Sequence, residues 1–215
     1  MMALVQHFPE KELKKALNYL VSWNLRSLLT GGSGGGSFEK GYCQASVKVR
    51  NGDIKDTVGL FSELSSLIPT DVAFESVFKT ISVTKAKLAR YVLHSLERYK
   101  SGEVSPEMIS NTDEEQVNLE HVLPKNAKVT DWPLFDEDTR REYVHRLGNM
   151  VLLSAKANKR IGNKPWTAKK IILASSELKW ARDASTNTNW DTAAIEAQQQ
   201  KMATDAIKVW KRQPT

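Results

Sequence analysis

The sequence predicts a mainly α-helical protein with a small β-hairpin: a helical N-terminal half followed by a ββα unit. Three observations carry this prediction. Apolar residues recur at helical spacing through most of the first hundred positions. Two short segments, 117–123 and 149–154, have the length and alternation of strands. A helical pattern then opens at Pro165, a residue suited to a first helical turn.

The composition permits this plan. The chain has 215 residues, 40% of them hydrophobic, and six Trp, enough core for one large domain or two small ones. Such a composition is globular and excludes an intrinsically disordered chain. No apolar run approaches the roughly 20 residues that a membrane span requires. Charges interrupt the apolar stretch of the first 30 residues, so it does not read as a signal peptide. The single cysteine, Cys43, excludes an internal disulfide and a Cys-cluster zinc site. A cytoplasmic protein with no membrane partner is expected.

Along the chain, Pro9 and Glu10 open a helix with Leu13, Ala16, Leu17, Leu20, Leu25 and Leu28 on its stripe. It stops at the run Gly31 to Ser37. That run reads as a flexible loop or an engineered linker; a phosphate-cradling loop is a third option, but the Gly-Lys-Ser/Thr ending is missing. Ile54, Val58, Phe61, Leu64 and Leu67 form a second stripe, and Phe74, Val77 and Phe78 a short third piece. Thr84 is placed to cap a helix carrying Leu88, Ala89, Val92, Leu93, Leu96 and Tyr99. His94 lies near that stripe as a packed or rim residue. Ser101 to Gln116, with Gly102, Pro106 and five acidic residues, reads as a linker, which divides the chain into domains 1–110 and 111–215.

In the second domain, a strand at Val117–Leu123 ends before Pro124. A helix is expected from Asp136, as its cap, to Leu147, with Gly148 just past its end. Asn149–Ser154 is the second strand, Lys156–Asn163 is polar and irregular, and a helix runs from Pro165 to about Leu178. A final amphipathic helix spans about Trp190 to Trp210, with both Trp residues as core anchors.

Net charge is +6, but its distribution is uneven. Between Ala155 and Arg182 eight basic residues face Glu177 alone, a local net charge of +7. Such a concentration is the usual electrostatic footprint of phosphate binding. A solvated helix face accounts for the charge alone equally well.

Three short signals lie in the ββα unit: Glu120-His121-Val122-Leu123-Pro124, Leu147-Gly148-Asn149-Met150-Val151, and Asn158 with Asn163-Lys164-Pro165-Trp166 behind it. Hydrolysis of a phosphodiester needs a base near neutral pH, and histidine has the nearest unperturbed pKa. It also needs a stabilised leaving oxyanion, which a divalent metal supplies. The metal takes hard oxygen ligands, here the Glu120 carboxylate and the Asn158 amide oxygen. Adjacent side chains of an ideal strand point to opposite faces, so Glu120 and His121 must sit at a strand end or bend. Asn149 is placed to tie two loops together through its side chain. Each signal alone is weak, because a Glu-His pair is more often a surface pair; the conjunction in order is stronger.

These motifs make residues 117–170 resemble the C-terminal HNH nuclease domain of GmrSD-type, modification-dependent restriction endonucleases. The resembling residues are Glu120–Pro124, Leu147–Leu153, Asn158, Asn163–Trp166 and Lys169. The helical half, with its Gly-rich loop before Phe38-Glu39-Lys40, is similar to the segment that precedes this domain. The resemblance implies an HNH (His-Me finger, ββα-metal) fold and a hydrolase that cleaves DNA, including modified phage or foreign DNA, in antiviral defence. It implies Mg²⁺ or Mn²⁺ on Glu120 and Asn158, His121 as general base, and catalytic or bracing roles for Asn149 and Asn158. Lys159, Arg160, Asn163, Lys164, Lys169 and Lys170 are the expected DNA-binding residues. The Asp-Gly-Gln-Gln-Arg-type motif of an N-terminal nucleotide-binding domain does not occur, so a fragment or a stand-alone effector is expected, with the sensor domain or subunit elsewhere.

Two other readings remain. In one, a non-catalytic module binds nucleic acid through the basic run; in the other, the first-half helices dock a partner in a defence complex. His145, with Arg140, Arg141 and Arg146, either lines a DNA path or forms an exposed helix face. Cys43 has no patterned partner for thiol chemistry.

Overall fold

The computed structural model describes residues 1–32, 35–103 and 117–214. By contacts the chain divides into two units, Met1–Val77 with Ala206–Thr215, and Phe78–Asp205. The boundary between these contact-defined units falls between Val77 and Phe78. The reason is packing: the helix expected to close the first domain lies against the hairpin of the second. The expected linker lies outside the described residues from 104 to 116.

The first unit is helical. It comprises α1 (Met2–His7), α2 (Glu10–Leu29), α3 (Gly35–Arg50), α4 (Thr57–Leu64) with a 3-10 turn at Ser65–Leu67, and α5 (Asp71–Phe78), whose last residue is assigned to the second unit. α2 ends where Gly31 takes a positive φ of 80°, a conformation in which glycine carries no steric penalty. The Gly/Ser run then merges into the first turn of α3; positions 33 and 34 lie outside the described residues. Ala16, Leu20 and Trp23 of α2 pack with Ala45 and Val49 of α3 and Leu60 and Leu64 of α4. Ile54, expected on the α4 stripe, precedes that helix but joins the same core. Asp56 caps α4 by accepting a hydrogen bond from the Gly59 amide at 2.7 Å.

The second unit begins with α6 (Ala86–Lys100), whose N-cap is Lys85 without a side-chain cap, so Thr84 does not cap it. The hairpin follows: β1 (Val117–His121) pairs antiparallel with β2 (Met150–Ser154), with Glu120 opposite Val151 and His121 opposite Met150. Between the strands lies α7 (Glu137–Tyr143), capped by Asp136, which accepts from the Thr139 amide at 2.8 Å. α7 is shorter than the expected helix to Leu147, because Leu147–Asn149 forms a separate 3-10 turn. Gly148 is therefore no helix terminator. A Cβ there would lie 2.2 Å from the Ile195 carbonyl oxygen and 2.7 Å from Gln199 Cβ, so only glycine permits this approach.

The stretch expected to be irregular after β2 forms α8 (Ala155–Ile161) instead. Ser154 caps it, accepting from the Ala157 amide at 3.3 Å, and Gly162 with φ 45° ends it. α8 packs on both β1 and β2, so it supplies the helix of the ββα unit immediately after the hairpin. The single helix expected from Pro165 to Leu178 is two helices, α9 (Trp166–Ala174) and α10 (Lys179–Ser185), with Pro165 as N-cap of the first. α11 (Thr192–Val209) closes the chain. The core of this unit gathers Val122, Leu123, Trp132, Val151, Leu153, Ile161, Leu173, Trp190 and Ile195. Trp166 and Trp190 stack with centroids 5.3 Å apart.

Candidate active site

Glu120 and His121 occupy the last two positions of β1, where the strand leaves the ladder. The chain then turns into the core: Val122 donates to the Asn149 carbonyl at 2.9 Å, and Val122, Leu123 and Pro124 are all buried. Glu120 and His121 are both still paired in the ladder, so the Glu120 carboxylate and the His121 backbone carbonyl meet through Lys169, while the His121 ring meets His145.

Asn149 is fully buried and all its side-chain hydrogen-bonding groups are engaged. Its Oδ1 accepts from the Leu123 amide at 2.8 Å and from Trp190 Nε1 at 3.0 Å. Its Nδ2 donates to the carbonyls of Leu123 and Val144, both at 3.1 Å. Asn149 thus fixes the loop that follows His121 and has no group left for substrate; it acts on the site through the backbone.

His121 is half-buried, and its Nε2 is enclosed without a hydrogen-bond partner. Burial first, and then the positive charges of Lys125, His145 and Lys169, bring its pKa down to about 4. The imidazole is therefore neutral near pH 7. The His145 ring meets it edge-on, with centroids 5.6 Å apart and planes at 86°. His145 lies beyond the end of α7, half-buried, with Nδ1 also unpartnered. Burial, then Lys125, lowers its pKa too.

Glu120 meets Lys169. This lysine, expected at a DNA phosphate, is wholly buried, and its ammonium forms an ion pair with the Glu120 carboxylate and donates to the His121 carbonyl at 3.0 Å. Its place on α9 explains this. Lys169 follows Trp166 by three residues and precedes Leu173 by four, so it shares their inward face. Burial raises the Glu120 pKa and lowers that of Lys169, and each is drawn back by the other's charge.

The remaining basic residues separate into two groups. Lys159, Arg160 and Lys164 are exposed, with Lys156 beside them, and Asn163 is exposed in the following turn. Lys164 Nζ donates to the Arg160 carbonyl at 2.7 Å. Lys170, by contrast, is tied to the Asn187 carbonyl at 2.8 Å. Arg146 is buried and bonded to Gln199 and to the Lys79 carbonyl, both at 2.9 Å, so it lines no DNA path. Arg140 donates to the Ala127 carbonyl at 2.9 Å, and Arg141 pairs with Glu137 and Asp138 on an exposed face.

For a metal, the donor chemistry counts. Asn158, on α8, has a buried Oδ1 with no hydrogen-bond partner, a hard oxygen available as a ligand. The Glu120 carboxylate already accommodates one cation, the Lys169 ammonium. Both are hard oxygens, the kind of donor that a hard divalent ion takes alongside water and phosphate. Among the described residues, no group of three or more His, Cys, Asp or Glu side chains is gathered to hold an ion by protein ligands alone.

The end of β1 thus carries a neutral histidine and an acid paired with a lysine, with Asn149 bracing the loop beyond it and α8, with exposed cations, packed on the strand. Residues 68–205 match the family model described as GmrSD restriction endonucleases, C-terminal domain, and the chain belongs to that family. The match takes in α6 as well as the hairpin and the helices after it. No curated protein matches the chain. No helix among the described residues is long and apolar enough to cross a membrane.

Proposed function

We propose that the protein is a metal-dependent DNA endonuclease of the HNH, ββα-metal type, acting in the cytoplasm in restriction of modified phage or other foreign DNA. The observation that carries this reading is the neutral His121 imidazole with an unpartnered Nε2. It stands at a strand end, and α8, with exposed cations, packs against that strand. Domains 1–110 and 111–215 remain the functional division proposed, with a nucleotide-binding sensor domain or subunit as the further partner.

In this mechanism His121 accepts a proton from the attacking water. The water oxygen bonds to phosphorus, the P–O3′ bond breaks, and the departing O3′ takes a proton from solvent, leaving a 5′-phosphate and a 3′-hydroxyl. Glu120 and Asn158 would hold Mg²⁺ or Mn²⁺, which supplies charge stabilisation for the departing oxygen. Asn149 keeps the His121 loop in place through Leu123. Lys159, Arg160, Lys164 and Asn163 contact the DNA backbone. Supercoiled plasmid tests the proposal. Nicking in Mg²⁺ or Mn²⁺, weak nicking in Ca²⁺ and none in EDTA are expected, and full activity in EDTA contradicts it.

A further inference from the structure

Lys169 does not belong with the other lysines of the basic run. Its side chain is wholly buried, whereas Lys159 and Lys164 stand in solvent. A buried ammonium is costly unless it is paired and hydrogen-bonded. This one is both, and its two partners are the carboxylate of Glu120 and the carbonyl of His121, consecutive residues of the site.

The position is imposed by the helix that carries it. Trp166 and Lys170, one turn apart on a neighbouring face of α9, reach the same loop: Trp166 Nε1 donates to the Thr188 carbonyl at 2.9 Å and Lys170 Nζ to the Asn187 carbonyl at 2.8 Å. These two contacts hold α9 in one rotation about its axis. Lys169 then has to point toward β1.

We propose that Lys169 is the resident cation of the site, a positioning residue that holds Glu120 and the His121 backbone and competes with the divalent ion for the Glu120 carboxylate. This rests on the metal-dependent reading above. The competition has a direct consequence: without DNA the site binds divalent ions weakly, because an incoming ion shares the Glu120 carboxylate with an ammonium. Phosphate oxygens of bound DNA add the negative charge that offsets the crowding. Metal binding and DNA binding are therefore coupled.

The test uses the full chain without DNA and Mn²⁺ as the probe, with binding followed by calorimetry and thermal unfolding. Lys169→Met leaves Glu120 buried without its cation. It should unfold at a lower temperature than wild type and bind Mn²⁺ at least about tenfold more tightly. Mn²⁺ should also recover more of its unfolding temperature than it adds to the wild type. Lys169→Arg keeps the charge and should keep the weak response. The double variant Glu120→Gln/Lys169→Met should lose the gain.

A purely structural lysine predicts lower stability with no change in Mn²⁺ affinity, and that result overturns the proposal. So does a Lys169→Met protein that is unfolded and stays so in saturating Mn²⁺, since the ion then does not replace the ammonium. Either result, with wild-type nicking still dependent on Mn²⁺, removes only this inference. Wild-type nicking in EDTA removes the metal reading beneath it.

Discussion

Asn149 holds Leu123 at both of its backbone polar groups, accepting from the amide at 2.8 Å and donating to the carbonyl at 3.1 Å. The two bonds act like one more rung of the sheet, placed where the ladder between β1 and β2 has ended. They fix the chain two residues after His121.

Replacing Asn149 removes partners from the Leu123 amide and carbonyl, the Val144 carbonyl and Trp190 Nε1. Each buried orphan costs about 1–3 kcal/mol, and such losses are not additive. Asn149→Ala should lower the unfolding free energy by roughly 3–5 kcal/mol in urea titration. Asn149→Asp should give no rescue, because an ionised carboxylate cannot donate to either carbonyl. A loss below about 1 kcal/mol in both variants means that the bracing has been overstated.

Gly148 is the second fixed point beside the site. An added methyl group would collide with the Ile195 carbonyl at 2.2 Å, a backbone atom of α11 that cannot turn aside. Gly148→Ala should cost roughly 2–4 kcal/mol, read from the same titration. A neutral substitution would mean that α11 yields easily here.

These two residues show how far the sequence could be read. The strands, Asp136 as a cap and the helices α2, α6, α9 and α11 followed from periodicity and capping chemistry, which act over a few residues. Glu120, His121, Asn149 and Asn158 were singled out as candidates by residue type and order. What the sequence hid was tertiary. α8 reads as polar and irregular because only Ile161 of its seven residues is buried, so it has almost no apolar stripe. The break between α9 and α10 has no proline to announce it. Lys169 reads as one more cation in a basic run. The three-residue step from Trp166 and the four-residue step to Leu173 placed it on the inward stripe, but a charged residue there has meaning only when its partner is known. Glu120 lies 49 positions away. His145 was noted only beside the arginines of α7, because its contact with His121 depends on the chain path between the strands.

The division of the basic run into exposed and engaged residues sets the test for the DNA path. Lys159, Arg160 and Lys164 are exposed. The triple variant Lys159→Ala/Arg160→Ala/Lys164→Ala should weaken binding to all DNA sequences alike, because backbone contacts carry no base information. The slope of log affinity against log salt should flatten by about 0.9 for each phosphate contact removed. An unchanged slope means that these side chains only solubilise α8 and the turn after it, and that DNA runs elsewhere.

Stability should depend on pH through His121. Its folded pKa is about 4 against an ordinary 6.5, so as pH falls the unfolded chain takes up the proton first. The stabilisation is complete above about pH 6.5 and is lost as pH falls toward 4. His145 and His94 are shifted in the same direction by burial. Urea titrations at about pH 7 and about pH 4.5 should show His121→Gln losing less stability on acidification than the wild type. Equal losses would place the imidazole in an ordinary environment.

The central claim is that His121 takes the proton of the attacking water. Single-turnover nicking of supercoiled plasmid in Mg²⁺ by His121→Ala, beside a DNA-binding titration, tests it most directly. Loss of a general base typically costs roughly 10²–10⁴ in rate, so nicking should fall by that factor while DNA affinity and the unfolding midpoint near neutral pH change little. Nicking by His121→Ala at the wild-type rate, in a preparation free of other nucleases, would contradict the account.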